Sequence, residues 1–301
     1  MTEPPFSPPP MPFRLLLDEA LRQARRHFRA IYPPVAIPVA IASSGVAALQ
    51  AVWFSRLTVD LGSGPAFLSP GYFAIILIQV ALLVVAGTAL QVGALDAVSG
   101  RPVDMGRAWR FSLRGGVLGT LALSGVLSIA SIFLCCLPAL VVVPLLSFVS
   151  PVMVEEGSFG ASALSRSAEL AWHSPPGPGR WQEKPLFKVL LLLFVGVLLS
   201  YLVGLLVSLP FQIPMYIDIF RHAAAGEDTV RRLSSWIWLQ VPAQFLNALA
   251  SEAVAVYTSF GLALLFHDAR GRKEGTDLRR EIDSMFAPPP PPLPLSGEPP
   301  L

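Results

Sequence analysis

Six apolar stretches, at about residues 33–54, 72–95, 115–134, 137–154, 185–209 and 236–267, alternate with short polar connections along this chain. A helix needs roughly 20 apolar residues to cross a bilayer, and several of these stretches reach that length without a charge. The pattern predicts an all-α fold, a polytopic integral membrane helical bundle of about six transmembrane helices. The third and fourth helices come from one block, 115–154, whose 40 residues would make about 60 Å of helix, twice the hydrocarbon thickness. That block must fold back. The break is expected near Cys135, Cys136 and Pro138, because proline removes a helical hydrogen bond and restricts its neighbour.

Composition agrees with a bilayer as solvent. Hydrophobic residues make up 53% of the 301, charged residues 14%, and the mean hydropathy is +0.59, outside the range of an ordinary soluble domain. The net charge of +2 decides nothing, but the placement of charge does. Eighteen of the 22 basic residues fall in alternate connections: Arg14, Arg22, Arg25, Arg26 and Arg29; Arg101, Arg107, Arg110 and Arg114; Arg166, Arg180, Lys184 and Lys188; Arg270, Arg272, Lys273, Arg279 and Arg280. Arg56, Arg221, Arg231 and Arg232 fall on the other side. Short loops rich in Lys and Arg stay inside, so both termini are expected in the cytoplasm of a cell inner membrane. Trp53, Tyr72, Trp236 and Trp238 fall near the opposite helix ends, where amphipathic rings favour the headgroup layer.

Residues 1–13 and 286–301 are proline-rich, including five consecutive prolines at 288–292. Such runs form extended polyproline and build no core, so both are expected to be disordered ends flanking a membrane domain at 14–285. The opening MTEPPFSPPPMPF has no basic region followed by an apolar run, so no cleavable signal peptide is expected. Two segments look interfacial. Residues 14–30 place Leu17, Leu21, Ala24 and Phe28 on one stripe, leaving Arg22, Arg25, Arg26 and Arg29 as candidate lipid-headgroup contacts. Residues 161–172 repeat the idea with Leu164, Ala168 and Trp172. Basic residues beside a span also simply hold orientation.

Glu252 is the least expected residue. It lies within the last apolar segment, where a carboxylate costs several kcal/mol, about 2.5 to 3.5 by some scales. Ala248, Ala255 and Ser259 share its helical face and let another helix approach closely. Without a nearby cation, a neutral, hydrogen-bonded carboxyl is expected, with Thr88, Ser124, Ser128, Ser200 and Tyr201 as partners at comparable depth. Gln79, Gln91, Gln244 and Asn247 are its uncharged company. Glu252, Thr88 and Tyr201 form the candidate intramembrane polar site, read either as a structural bond or as a proton or cation site.

Other chemistry is weak. Cys135 and Cys136 are adjacent and read as small apolar filler. His27, His173, His222 and His267 are scattered, and the His267–Asp268 pair reads as a solvated helix end. No metal set, phosphate-cradling loop, nucleophile elbow or metalloprotease pair occurs. No cofactor, no metal and no nucleic acid are expected.

Three stretches carry a resemblance: SGRPVDMGRAWRFSLRG at 99–115, SPVMVEEGSFGASALSRSAELAW at 150–172, and LALLFHDARGRKEGTDLRREI at 262–282. They resemble a bacterial and archaeal membrane-protein family similar to the membrane domain attached to some glycerophosphoryl diester phosphodiesterases. The resemblance covers roughly residues 10–285 and implies a six-helix membrane protein. The phosphodiesterase barrel has no counterpart here, so no enzymatic activity carries over. The motif positions are Glu156, Gly157, Arg166, Ser167, Asp268, Arg270, Glu274, Gly275 and Asp277. Physically, Glu155, Glu156 and Gly157 read as a cap at a sharp exit from the bilayer, and the 270–277 charges as a stop that pairs with that loop. The chain is thus expected to be a non-enzymatic scaffold or partner subunit with lipid contacts, its partners the lipid bilayer and another membrane or envelope protein. The alternative is a transporter or channel that uses Glu252.

Overall fold

The structure, a computed structural model, describes residues 11–57, 70–134, 136–172, 184–223 and 236–274. The chain is an all-α polytopic bundle, and six helical segments are long and apolar enough to span a membrane: Phe13–Trp53, Pro70–Val98, Gly115–Leu134, Pro138–Glu155, Pro185–Arg221 and Gln240–Glu274. Residues 1–10 of the proline-rich N-terminal end, the whole of the C-terminal one, Cys135, Gly275 and Asp277 lie outside the described residues.

In chain order the helices are α1 (Phe13–Leu57), α2 (Pro70–Val98), α3 (Met105–Ser112), α4 (Gly115–Leu134), α5 (Cys136–Leu146), α6 (Val149–Glu155), α7 (Ala161–Trp172), α8 (Pro185–Ala223) and α9 (Gln240–Glu274). A 3-10 turn, Ile237–Leu239, leads into α9. The first and last helices pack most extensively on each other, with α2 and α8 against α9 and an α4–α5 hairpin to one side.

Residues 14–30 differ from the sequence expectation. They are not a separate helix in the headgroup plane but the first turns of α1, which runs for 45 residues, about 68 Å at the usual rise. The stripe that packs is Leu16, Ala20, Ala24 and Ile31, all nearly inaccessible, while Leu21 is exposed. This stripe packs into the main core, and the helix runs on through Pro33, Pro34 and Pro38. The fourth stretch is also not one helix. It breaks into α5 and α6 at a turn over Ser147 and Phe148, where the Ser147 amide donates to the Pro144 carbonyl at 3.3 Å. The fifth continues past residue 209 to Ala223, through Pro210 and Pro214.

Packing is uneven along the bundle. The buried part of α2 is confined to Ala86–Ala97, and that of α9 is densest from Val256 to Gly271. With Phe148 of the turn, Val152 and Met153 of α6 and Leu170 of α7 they form one core at the arginine-rich end. Towards the opposite end Phe73, Leu77 and Ile78 of α2 and Leu206 and Phe220 of α8 stand exposed, as lipid-facing side chains do.

Candidate functional site

The motif residues that the structure describes come together at the arginine-rich end. The loop after α6 makes this possible. Glu156 caps α6, its amide donating to the Val152 carbonyl at 2.9 Å. Gly157 then takes φ +64°, a left-handed conformation that side chains disfavour, and turns the chain into α7. The Thr120 hydroxyl of α4 accepts from the Gly160 amide at 2.7 Å, which fixes the start of α7.

Arg166 of α7 is the hub. Its Nε reaches Glu156 at 3.0 Å, Nη1 reaches Glu169 at 3.3 Å, and Nη2 pairs with Glu274 at the end of α9. Burial works against its charge, but the bonds to Glu156 and Glu169 and the nearby Glu274 outweigh burial and hold the guanidinium above the usual arginine range. Arg270 Nε holds the second oxygen of Glu274 at 2.9 Å. Lys273 pairs with Glu169. Lys273 first, and Arg166 with it, hold the Glu169 carboxyl below the ordinary value despite some desolvation. Ser167, fully buried, donates to the Leu145 carbonyl at 2.6 Å, one of the last-turn carbonyls of α5 that has no helical donor. Asp268 pairs with Arg272 and lies 4.0 Å from Lys188 Nζ. Thus Glu156, Arg166, Ser167, Asp268, Arg270 and Glu274 join α5, α6, α7, α8 and α9.

Two residues that sequence reasoning passed over extend this clasp. Asp96, fully buried in the last turn of α2, forms ion pairs with Arg101, whose Nε lies 3.2 Å from its carboxylate, and with Arg107 of α3. The bond from Asp96 raises the Arg107 pKa above the usual arginine range, with Asp104 and Glu155 adding to it against some desolvation. Arg101 also pairs with Glu155. An acidic residue at a helix C-terminus is unfavourable, so Asp96 inside an apolar helix pointed to cations near it. Lys188, 3% exposed, donates to the Met11 carbonyl at 2.7 Å and anchors the start of α1 to α8. His267 faces Ser99 at 3.3 Å across the α2–α9 contact, which is more than a solvated helix end.

The second region is around Glu252 of α9. The carboxyl is 7% exposed, on a buried face with Ala248, Val256 and Ser259, as the small-residue stripe predicts. Tyr32 of α1 donates to the Leu249 carbonyl at 3.0 Å, one turn away, and lies within electrostatic range of Glu252. Glu252 Oε2 is enclosed, with no hydrogen-bond donor among the described residues. The partners expected from sequence are engaged elsewhere or placed elsewhere. Thr88 donates to the Val84 carbonyl, Ser124 to Leu121 and Ser128 to Ser124, each within its own helix. Ser200 and Tyr201 line a cleft between α8 and α9, and Tyr201 is largely exposed. Towards the end away from the arginine-rich loops, Ser43, Gln50, Gln79, Gln240 and Gln244 line a cavity of about 310 Å³ between α1, α2 and α9.

Arg22, Arg25, Arg26 and Arg29 project from the unpacked side of α1, and Arg22 makes a local pair with Glu19 at 3.0 Å. Among the described residues no three His, Cys, Asp or Glu side chains gather as metal ligands do. No family model, curated protein or solved structure matches the chain.

Proposed function

We propose that the chain is a non-enzymatic membrane scaffold or partner subunit of the family it resembles, set in the cytoplasmic membrane with its arginine-rich end inside and its α1 arginines on anionic lipid. The observation that carries this reading is the Arg166 hub. One guanidinium engages carboxylates from the α6 end, α7 and the α9 end, which suits a fixed platform better than a gate. Half-buried, multiply bonded arginines of this kind favour one geometry. The α1 arginines would each add about 1 kcal/mol near an anionic leaflet.

A second reading, a transporter, is favoured by one observation: an enclosed carboxyl oxygen of Glu252 with no donor among the described residues. Intramembrane ionisable groups are functional candidates by default. The experiment is purification of the full chain from native membranes with protein and lipid mass spectrometry, alongside flux assays in proteoliposomes. A membrane or envelope protein recovered in fixed ratio, equally with wild type and Glu252→Gln, is the result expected. Cation- or proton-driven flux by the chain alone, abolished in Glu252→Gln, would replace the scaffold reading with transport.

A further inference from the structure

We propose that the cleft between the outer halves of α8 and α9 binds an uncharged, hydroxyl-rich group, a sugar or polyol. This goes beyond the scaffold reading and does not depend on it. The seam between the two helices is closed on the arginine-rich side, where side-chain atoms of Thr258 and Leu192 stand 2.5 and 2.7 Å from where a Cβ would sit on Gly196 and Gly261. Further out it opens into a cleft of about 380 Å³, within the range of small-ligand sites.

Ser200, Ser208 and Gln212 of α8 face Gln244, Asn247 and Ser251 of α9 across this space. Residues 244, 247 and 251 follow helical spacing on one face of α9, so the polar side chains form a wall and are not scattered. Leu205 lines the cleft as well, while its neighbours Leu202 and Leu206 are exposed on α8 and do not, so the polar wall stands beside an apolar side. Asn247 is partly buried in this wall. Its Oδ1 is enclosed without a donor among the described residues, and a Cβ on Gly204 would stand 2.8 Å from it. An amide acceptor left without a donor at membrane depth is costly.

The chemistry of the lining selects the ligand class. Among the described residues no Lys, Arg, Asp or Glu lines the cleft, so their side chains offer a phosphate or carboxylate group no counter-charge. Each side-chain amide offers both donors and an acceptor, and each serine hydroxyl both; Ser208 spends its hydrogen on the Leu205 carbonyl at 3.2 Å and keeps its lone pairs. Neighbouring hydroxyls of a sugar or polyol, each donor and acceptor together, match such a wall. Tyr201, largely exposed at the rim, offers a ring face to the apolar side of a sugar.

The test uses the full chain in nanodiscs and native mass spectrometry, with glucosyl diacylglycerol and phosphatidylglycerol of the same acyl chains at equal mole fraction, and free glucose in a separate titration. The expected result is one glucosyl lipid retained per chain in preference to phosphatidylglycerol. Asn247→Leu should weaken that retention by at least about tenfold, as expected for a lost buried hydrogen-bonding group. Gln244→Leu, at a partly exposed position, provides a second readout if Asn247→Leu fails to fold. Retention of the lipid without response to free glucose identifies a lipid headgroup, and response to both identifies the sugar itself. Equal retention of the two lipids, or retention unchanged in both variants, overturns the proposal. So does a cross-linked dimer from Ser208→Cys in native membranes without bound glycolipid, which assigns the cleft to a second copy.

Discussion

The indole N–H of Trp109 donates to the main-chain carbonyl of Pro34 at 3.2 Å, and Pro34 is four residues before Pro38. Pro38 has no N–H to give to that carbonyl. The side chain of α3 therefore supplies the hydrogen bond that the α1 proline removes, and α1 continues as helix through Pro38 to Leu57.

This relationship predicts a coupled pair. Trp109→Phe keeps most of the ring but loses the donor, and should destabilise the protein by about 1 kcal/mol. Pro38→Ala restores the helical donor, so in that background Trp109→Phe should cost distinctly less. Thermal unfolding of the four proteins in one detergent measures the coupling, and equal costs in both backgrounds would disprove it.

Asp96→Asn keeps the shape of a fully buried side chain and removes its charge. Arg101 and Arg107 are about half exposed, at 40% and 51%, and can turn towards water. The loss should therefore be about 1 to 3 kcal/mol, below the 3 to 5 typical when a buried charge is stranded. Chemical denaturation in mixed micelles gives the value, and an unchanged midpoint would show that the pair contributes nothing.

Acid should loosen the clasp from the α7 side. Glu169 is held below its ordinary value of 4.5, chiefly by Lys273. A depressed carboxyl contributes stability that is fully present above pH 4.5 and is lost as pH falls through the lowered value. The side chain is 58% exposed, so after solvent screening the contribution stays under about 1 kcal/mol. Melting temperature should be flat from pH 7 to about pH 5 in this respect, and the difference between wild type and Glu169→Gln should shrink below pH 4.5. A difference that grows on acidification contradicts the sign.

Glu252→Leu should melt at the same temperature as wild type or higher. A carboxyl oxygen enclosed without a donor among the described residues supplies little binding energy, and an apolar group of similar size avoids its desolvation. Glu252→Gln should fold equally well. A melting point lowered in Leu and restored in Gln would instead reveal a structural hydrogen bond.

Reporter fusions should follow the distribution of arginines. Fusions after residue 105 and after residue 275 are expected to report a cytoplasmic location, and one near residue 225 an external one. A cytoplasmic signal at 225 would change the number of spans.

The spans and α7 were legible because apolar length and helical spacing are properties of local sequence; residues 161–172 form the helix expected, Ala161–Trp172. What was not legible depends on partners distant in sequence. Leu17 and Leu21 looked like the apolar stripe of the first helix, yet Leu16 and Ala20 are the side chains buried, because α9 approaches from one particular side. Pro33 and Pro34 looked like a helix boundary, and tertiary packing overrode that preference. The motif residues could be named, but the hub role of Arg166 required the 108-residue closure to Glu274. Asp96 was readable in principle from its place in an apolar helix, and Glu252 drew attention from it.

The extensive contact between α1 and α9 also has a consequence for biosynthesis. Among the described helices α1, with its stripe Leu16, Ala20, Ala24 and Ile31, is made well before α9, the helix that packs on it most extensively. Until α9 is inserted α1 lacks this cover, so a chain cut short before α9 would present the membrane quality-control machinery with an open α1.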